Sequence, residues 1–288
     1  MIKYLGIYSV ITIGFIFLSC SNSTKSNSTQ IESGMQKEFD ISVGVALYSF
    51  NRFAFPEALE KSKQSGSSIV EGFFFHRLGG EFGDKRIPDL TEPEILELKK
   101  KVQDAGMEMK SMYAGGETLE DWEQQFKKGQ QLGLHFLVGE PRPELWDGID
   151  ELAGQYGMKL AIHEHARGKS IFWHPDSVLA AIDGHPNFGA CGDLGHWVRS
   201  GLDLVHCLNK LEGYLISIHA KDLDEFGNID ANDVKLSTGV IDYEAVMEEL
   251  HRQGFSGPIY IECEHDWENN LEDVKYAVDY IRRRIKER

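Results

Sequence analysis

Short apolar runs alternate with helix-like segments from residue 40 to the end of the chain. The runs are rich in Val, Ile and Ala, which is typical of strands that are buried on both faces. Gly, Pro and polar residues separate them from the segments that follow. We predict eight strands, at 41–48, 68–71, 107–112, 135–138, 158–163, 187–193, 214–219 and 258–262.

A helix is predicted after each strand. The second helix begins after Thr91, because Glu94 stands three residues later in the spacing of a capping box. The predicted helices lie at 57–64, 92–105, 117–132, 144–156, 177–182, 202–211, 243–252 and 271–285. Strict alternation implies a parallel sheet, and eight units close a barrel. We therefore predict an α/β fold, a single (β/α)8 TIM barrel over residues 40–288.

Four of the last strands end on a polar residue that can bind a metal. These residues are His163, Asp193, His219 and Glu262. The carboxyl ends of barrel strands meet at one face, so we expect the four to converge there. Side chains alternate along a strand, which selects His163 rather than Glu164 as the inward group. Imidazole and carboxylate ligands suit one divalent cation, for which we predict Mn²⁺, with Co²⁺, Zn²⁺ or Mg²⁺ as alternatives.

The charge of the chain excludes a class of partner. The 288 residues carry a formal net charge of −16, whereas binding to nucleic-acid phosphates requires a positive surface. A cation or a neutral sugar is compatible with this charge. No Gly-rich nucleotide motif follows a strand, so we expect no nucleotide cofactor.

The amino-terminal residues have the pattern of an export signal. Lys3 precedes a mostly apolar run at 5–18, which is too short for a membrane span and typical of a signal-peptide core. The run ends in Phe17-Leu18-Ser19-Cys20, which resembles a bacterial lipobox. We predict a lipoprotein signal peptide at 1–19 and lipidation of Cys20. The alternatives are an unlipidated signal and an N-terminal anchor helix.

A polar segment follows the signal. Residues 20–39 are rich in Ser, Asn, Thr and Gln, and we predict a flexible tether there. Ser21 resembles outer-membrane sorting, so we expect an envelope lipoprotein, on the periplasmic side or at the outer membrane, that meets the membrane only through its lipid. The remaining cysteines, Cys191, Cys207 and Cys263, lie in apolar segments and are interpreted as buried free thiols.

Three motifs resemble those of the xylose isomerase-like TIM barrels, the sugar isomerase/epimerase superfamily. Residues 193–197, Asp-Leu-Gly-His-Trp, are similar to a D-T-G-H segment, and residues 219–222, His-Ala-Lys-Asp, to H-x-K-D. Glu262 matches a final metal glutamate. Segments 47–49 and 239–243 also match, and the resemblance spans about 41–286.

The resemblance implies a metal held by glutamate, aspartate, histidine and glutamate on strands five to eight. Asp193, His219 and Glu262 match by position, whereas His163 stands where a glutamate is usual. Branches with H-x-H at this place exist, and residues 163–165, His-Glu-His, look like one. The alternative first ligand is Glu140, at the end of strand four.

The resemblance also implies the chemistry, which is abstraction of a proton beside the carbonyl of a keto-sugar. Family epimerases use two metal-bound carboxylates, and His163 replaces one of them here. A one-base reaction is therefore favoured, with Glu262 as the base and β-elimination as the outcome, as in inosose dehydratases and lyases of 3-keto-glycosides. Isomerisation or epimerisation is the other outcome. The expected substrate is an unphosphorylated small-molecule sugar.

Further residues receive roles from the resemblance and from their positions. We expect Lys221 to stabilise developing negative charge or to form a surface salt bridge, and His165 to be a leaving-group acid or the partner of a metal ligand. Expected substrate contacts are His196, Glu71, Glu140 and Trp173. Candidate stacking aromatics, beside Trp173, are Phe50, Phe53, Phe73 and Phe75, and core packing is the alternative for each.

Two other functions compete with this interpretation. The AP endonuclease branch of the fold works on DNA, which the acidic charge argues against. A sugar-binding envelope lipoprotein without catalytic activity is the alternative from another class. Such a receptor would not need four metal-type ligands at the strand ends.

Overall fold

Eight parallel strands close into a barrel in the computed structural model, which describes residues 41–287. Strand β1 pairs with β2 on one side and with β8 on the other, so no edge is left open. The strands are β1 (Val43–Ala46), β2 (Ile69–Phe73), β3 (Glu108–Tyr113), β4 (Phe136–Gly139), β5 (Lys159–His163), β6 (Phe188–Asp193), β7 (Leu215–Ala220) and β8 (Ile259–Ile261). The predicted (β/α)8 barrel is confirmed.

Helices connect the strands and cover the outside of the barrel. They are α1 (Phe55–Gln64), α2 (Glu92–Asp104), α3 (Leu119–Leu132), α4 (Trp146–Gln155), α5 (Pro175–Ile182), α6 (Leu194–Arg199), α7 (Leu204–Lys210), α8 (Tyr243–Gln253) and α9 (Leu271–Lys286). The capping box predicted for α2 is present, because the Thr91 backbone N–H donates to Glu94 Oε2 at 2.9 Å.

The connection between β6 and β7 differs from the prediction. One helix was expected at 202–211, but α6 precedes it directly at the end of β6. Asp193 is both the last residue of β6 and the N-cap of α6, since its Oδ1 accepts a hydrogen bond from the His196 backbone N–H at 2.9 Å. A short helix that begins without a loop leaves little separate signal in the sequence.

The polar segment 222–242, for which no strand or helix was predicted, contains a two-stranded antiparallel ribbon, Asp222–Leu223 with Asp233–Val234. Asp222 holds this segment, because its carboxylate accepts hydrogen bonds from the backbone N–H groups of Leu223, Gly239 and Ile241. The ribbon therefore starts from a fixed point beside the carboxyl end of β7. Strand β1 is shorter than predicted, since Leu47–Phe50 forms a 3₁₀ turn.

The barrel interior contains a large aromatic side chain at its β1–β8 seam. Gly44 of β1 is paired with Tyr260 of β8. A Cβ atom at Gly44 would lie 2.7 Å from the Tyr260 ring and 2.7 Å from Ile69. The absence of a side chain at position 44 is therefore what allows Tyr260 to be fully buried.

Several further predictions concern the amino-terminal residues and the cysteines. The predicted signal peptide, the predicted lipidation of Cys20 and the predicted tether lie outside the described residues. Within 41–287, no helix has the length and hydrophobicity to cross a bilayer. Cys191, Cys207 and Cys263 are buried free thiols, as predicted.

Gly44→Ala tests the seam. We expect it to lower the free energy of unfolding by about 1–3 kcal/mol, because the added methyl group overpacks a full interior. Gly115→Ala is the control, since a Cβ there would meet its nearest neighbours at 3.8 Å and should change stability by less than about 0.5 kcal/mol. Denaturant unfolding measures both, and equal stabilities would contradict the packing described.

Candidate active site

Four side chains from four strand ends meet at the carboxyl-terminal face of the barrel. Asp193 Oδ2 lies 3.5 Å from His163 Nε2 and 3.6 Å from His219 Nδ1. Glu262 Oε2 lies 3.4 Å from His219 Nδ1. All four residues are buried. The structure thus brings together the four residues that the sequence suggested as metal ligands.

Strand alternation decides which side chain at the end of β5 joins this cluster. His163 points into the barrel, whereas Glu164 points outward and accepts a hydrogen bond from Trp197 Nε1 at 2.6 Å. Burial in this apolar layer raises the pKa of Glu164 to about 8. Glu164 is therefore part of the packing between the barrel and α6, as the alternation predicted.

Each of the two histidines has a carboxylate on its other ring nitrogen. His219 Nε2 lies 2.8 Å from Glu71 Oε1, and His163 Nδ1 lies 3.3 Å from Glu140 Oε1. A carboxylate at this place fixes the tautomer and the orientation of a metal-binding imidazole. The nitrogens left over, His219 Nδ1 and His163 Nε2, are the ones that face Asp193.

Two buried polar atoms of the cluster make no hydrogen bond. They are Asp193 Oδ2 and His219 Nδ1, both inaccessible to solvent, although Asp193 Oδ2 lies at ion-pair distance, 3.1 Å, from Lys221 Nζ. Buried polar atoms normally make hydrogen bonds, so two such atoms that face each other fit a cation site. Ligand atoms of His163, Asp193 and His219 all lie within 4.8 Å of one another. Donors of this chemistry fit a divalent cation.

Glu140 forms a second candidate group with His163 and His165. Its Oε1 already accepts from the Tyr113 hydroxyl at 2.8 Å and lies 2.5 Å from His165 Nδ1 and 3.3 Å from His163 Nδ1. This oxygen is satisfied without a cation. The geometry therefore favours His163 over Glu140 as the first ligand and makes Glu140 a hydrogen-bond partner of two histidines.

Lys221 is not a surface residue. Its side chain is 1% exposed, and its Nζ lies 3.1 Å from Asp193, 2.5 Å from Glu262 and 2.5 Å from Glu264. Burial opposes its charge, but these carboxylates raise the pKa of Lys221 well above its ordinary value. A Cβ at Gly195 would lie 2.5 Å from the Lys221 stem, so the glycine of one motif makes room for the lysine of the other.

The protonation of the cluster follows from these contacts. Burial opposes ionisation of Glu262, but Lys221 and His219 lower its pKa below the usual range. Burial also opposes the charged form of His163, but the neighbouring carboxylates of Asp193 and Glu140 raise its pKa to about 10. Glu262 is consequently a carboxylate at neutral pH.

A cavity of about 250 Å³ adjoins the cluster. Four aromatic residues line it, and the other lining residues are histidines and carboxylates. The residues are Tyr48, Phe73, Phe75, Tyr113, His163, His165, His196, Glu262 and Glu264. A lining of aromatic and polar side chains suits a molecule that presents both C–H groups and hydroxyls.

The remaining predicted site residues lie in different surroundings. His165 and His196 line the cavity, but Glu71 lies fully buried and outside the lining. Trp173 also lies outside the lining and contacts the Arg167 guanidinium. Phe50 is fully buried, and Phe53 lies against the Lys61 ammonium. Substrate roles for these residues stay predictions.

Sequence reasoning gave no role to three lining residues. Tyr48 follows β1, Tyr113 ends β3, and Glu264 lies two residues beyond Glu262. The strand alternation that places Glu262 inward also places Glu264 inward. Tyr48 lies within a segment that the family resemblance includes. These two positions could therefore have been found from the sequence, whereas Tyr113 gave no such signal.

Comparisons with known proteins agree with this architecture. A sequence model of the xylose isomerase-like TIM barrel family matches residues 59–284. Inosose dehydratase of Mesomycoplasma hyopneumoniae is 25% identical in an alignment 256 positions long, which covers 71% of this chain and 83% of that protein. An uncharacterized Parabacteroides distasonis structure is 30% identical at a TM-score of 0.69, over 85% of this chain and 99% of that one.

A further solved structure shares the fold at lower identity. The IOLI protein, with a bound zinc atom, matches at a TM-score of 0.69 and 15% identity, over 85% of this chain and 98% of that one. An identity this low shows the common barrel.

Asp193→Asn tests the cluster as a metal site. We expect the affinity for Mn²⁺ and Zn²⁺ to fall by at least about 100-fold, the upper end of what loss of a ligand's hydrogen-bond partner costs. Calorimetric titration measures the affinity. The exposed Asp84→Asn is the control and should match the wild type. Equal affinities in the two variants would show that the cluster binds no metal.

Proposed function

The chain belongs to the xylose isomerase-like TIM barrel family, and we propose that it is a metal-dependent enzyme that removes a proton beside the carbonyl of a keto-sugar. The observation that carries the proposal is a pair of buried atoms that face each other without a hydrogen bond, Asp193 Oδ2 and His219 Nδ1, beside the ionised Glu262 in the wall of a cavity. A sugar receptor needs the cavity but gains nothing from such a pair.

The proposed cation is held by His163, Asp193, His219 and Glu262. When bound, a divalent metal polarises the carbonyl oxygen and stabilises the negative charge that forms on it. We propose Mn²⁺, with Co²⁺, Zn²⁺ or Mg²⁺ as alternatives. Two imidazole ligands favour a transition metal over Mg²⁺.

Glu262 is the proposed base. It lines the cavity, and the bond from Lys221 Nζ to its Oε2 fixes the carboxylate and keeps it ionised. Lys221 itself is enclosed by three carboxylates and does not line the cavity, so it acts by holding Glu262 and Asp193 in place. Its contribution to catalysis is therefore indirect.

His165 is the proposed acid. It lines the cavity, and the contact of its Nδ1 with Glu140 leaves Nε2 as the nitrogen that can exchange a proton with the substrate. As an imidazolium it can protonate a leaving hydroxyl or alkoxide while Glu262 takes the α-proton. This pairing favours β-elimination, of the dehydratase or 3-keto-glycoside lyase type, over epimerisation.

The proposed elimination has independent support. Relatives that match over most of their length are named inosose dehydratases. From the signal-like residues 1–20 we further propose that the enzyme works in the cell envelope.

The cavity suits an uncharged sugar. Its volume of about 250 Å³ lies below the roughly 300–1,000 Å³ of pockets for drug-sized ligands, which points to a monosaccharide-sized substrate. Among the described residues that line it, none is a lysine or an arginine, and two are glutamates. A phosphate group would find no lysine or arginine in this lining and would face two carboxylates.

Glu262→Gln tests the base. We expect this variant to exchange the α-proton of inosose or of a 3-keto-glucoside with heavy water about 10²–10⁴-fold more slowly than the wild type. NMR measures the rate of exchange. The exposed Glu108→Gln, at the amino end of β3, is the control. Bound metal is quantified in both variants, so that loss of the ion is separated from loss of the base. Full activity of Glu262→Gln would refute the assignment.

Paired substrates test the cavity charge. We expect kcat/KM for an unphosphorylated keto-sugar to exceed that for its phosphate ester by at least about 100-fold, because like charges brought together cost several kcal/mol. Steady-state kinetics on both compounds measure the ratio. A preference for the phosphate ester would contradict the proposed substrate class.

A further inference from the structure

We infer that Glu71 is a positioning residue, which holds His219 in the tautomer that leaves Nδ1 available to the metal. The inference rests on the proposed metal site. It differs from the expectation that Glu71 contacts the substrate, because the Glu71 carboxylate is fully buried and outside the cavity lining.

Glu71 reaches His219 across the barrel interior. It lies on β2, and His219 lies on β7, 148 positions away in the sequence. The contact joins Glu71 Oε1 and His219 Nε2 at 2.8 Å, and both side chains are 0% exposed. Because both groups are shielded from solvent, the hydrogen bond between the carboxylate and the Nε2 proton is strong.

Two hydroxyls fix the other oxygen of Glu71. The Ser111 hydroxyl donates to Glu71 Oε2 at 2.8 Å and lies 2.9 Å from the Tyr260 hydroxyl. Since the single proton of Ser111 goes to the carboxylate, Tyr260 is the donor to Ser111. Tyr260 is itself fixed by the space that Gly44 provides. The Glu71 carboxylate is therefore held by side chains of β3, which pairs with β2, and of β8, two strands away on the other side.

The chain of bonds matters because other carboxylates compete for the imidazole. His219 Nδ1 lies 3.6 Å from Asp193 Oδ2 and 3.4 Å from Glu262 Oε2. Without Glu71, a proton on Nδ1 would gain these two partners and block the nitrogen that faces the cation. Glu71 stabilises the opposite tautomer by giving the Nε2 proton the better bond.

Glu140 gives His163 a weaker form of the same support. Its Oε1 is 3.3 Å from His163 Nδ1 and is shared with Tyr113 and His165. The hydrogen-bond partners of Glu71, His219 and Ser111, do not line the cavity. The effect of Glu71 should therefore appear in metal binding and not in sugar binding.

Glu71→Gln in the full-length protein tests the inference. We expect Mn²⁺ and Zn²⁺ to bind about 10–100-fold more weakly, as is usual when the hydrogen-bond partner of a ligand is changed. Activity should recover as Mn²⁺ is raised, with the KM for the sugar close to the wild-type value. The matched control is Glu164→Gln, which changes a carboxylate of equal burial that bonds to Trp197 instead and should leave the metal affinity unchanged.

A measurement on the wild type covers the case in which Glu71→Gln does not fold. Nitrogen-15 NMR of the zinc-loaded protein should show His219 bound to zinc through Nδ1 and protonated at Nε2. Coordination through Nε2 would overturn the inference, as would a metal affinity of Glu71→Gln equal to that of the wild type, or a raised KM at saturating metal. If the wild type binds no metal, both the proposed function and this inference fail. If the wild type binds metal and Glu71→Gln binds it equally well, only this inference fails.

Discussion

The carboxyl-terminal face of this barrel depends on the compensation of buried negative charge. Five carboxylates surround the cluster, and one ammonium, that of Lys221, is placed among them. The carboxylates are Glu71, Glu140, Asp193, Glu262 and Glu264. Buried charges without partners cost far more than a folded domain can spare, so the arrangement requires further positive charge. Protonated His163 and His219 supply it in the absence of metal, and a divalent cation can replace their protons.

The fold positions these charges by two simple constraints. Parallel strands of a closed barrel end at one face, and side chains alternate along each strand, so residues distant in sequence meet without any local motif. Glycines then decide which large side chains enter. Gly195 admits the Lys221 stem, and Gly44 admits Tyr260, which supports Glu71 through Ser111. The packing of the barrel interior therefore helps to fix the positions of the charged side chains at its carboxyl end.

The barrel and the convergence of the four strand-end side chains were predictable because both follow from local patterns. Continuous apolar runs indicate strands buried on both faces, and the alternation that separates His163 from Glu164 is readable within a single strand. The role of Glu71 was not predictable, since it depends on a contact between residues 148 positions apart. Helix α6 was missed because Asp193 ends a strand and caps a helix at once. The burial of Lys221 was not predictable either, because its contacts with Asp193, Glu262 and Gly195 join it to other parts of the chain.

A crystal structure of the protein grown with Mn²⁺, with anomalous diffraction data, tests the central claim most directly. The account predicts one strong anomalous peak within bonding distance of His163 Nε2, Asp193 Oδ2, His219 Nδ1 and the Glu262 carboxylate, with Glu71 still bonded to His219 Nε2. The account would be contradicted by the absence of a peak in crystals saturated with Mn²⁺, or by a peak between Glu140 and His165 instead.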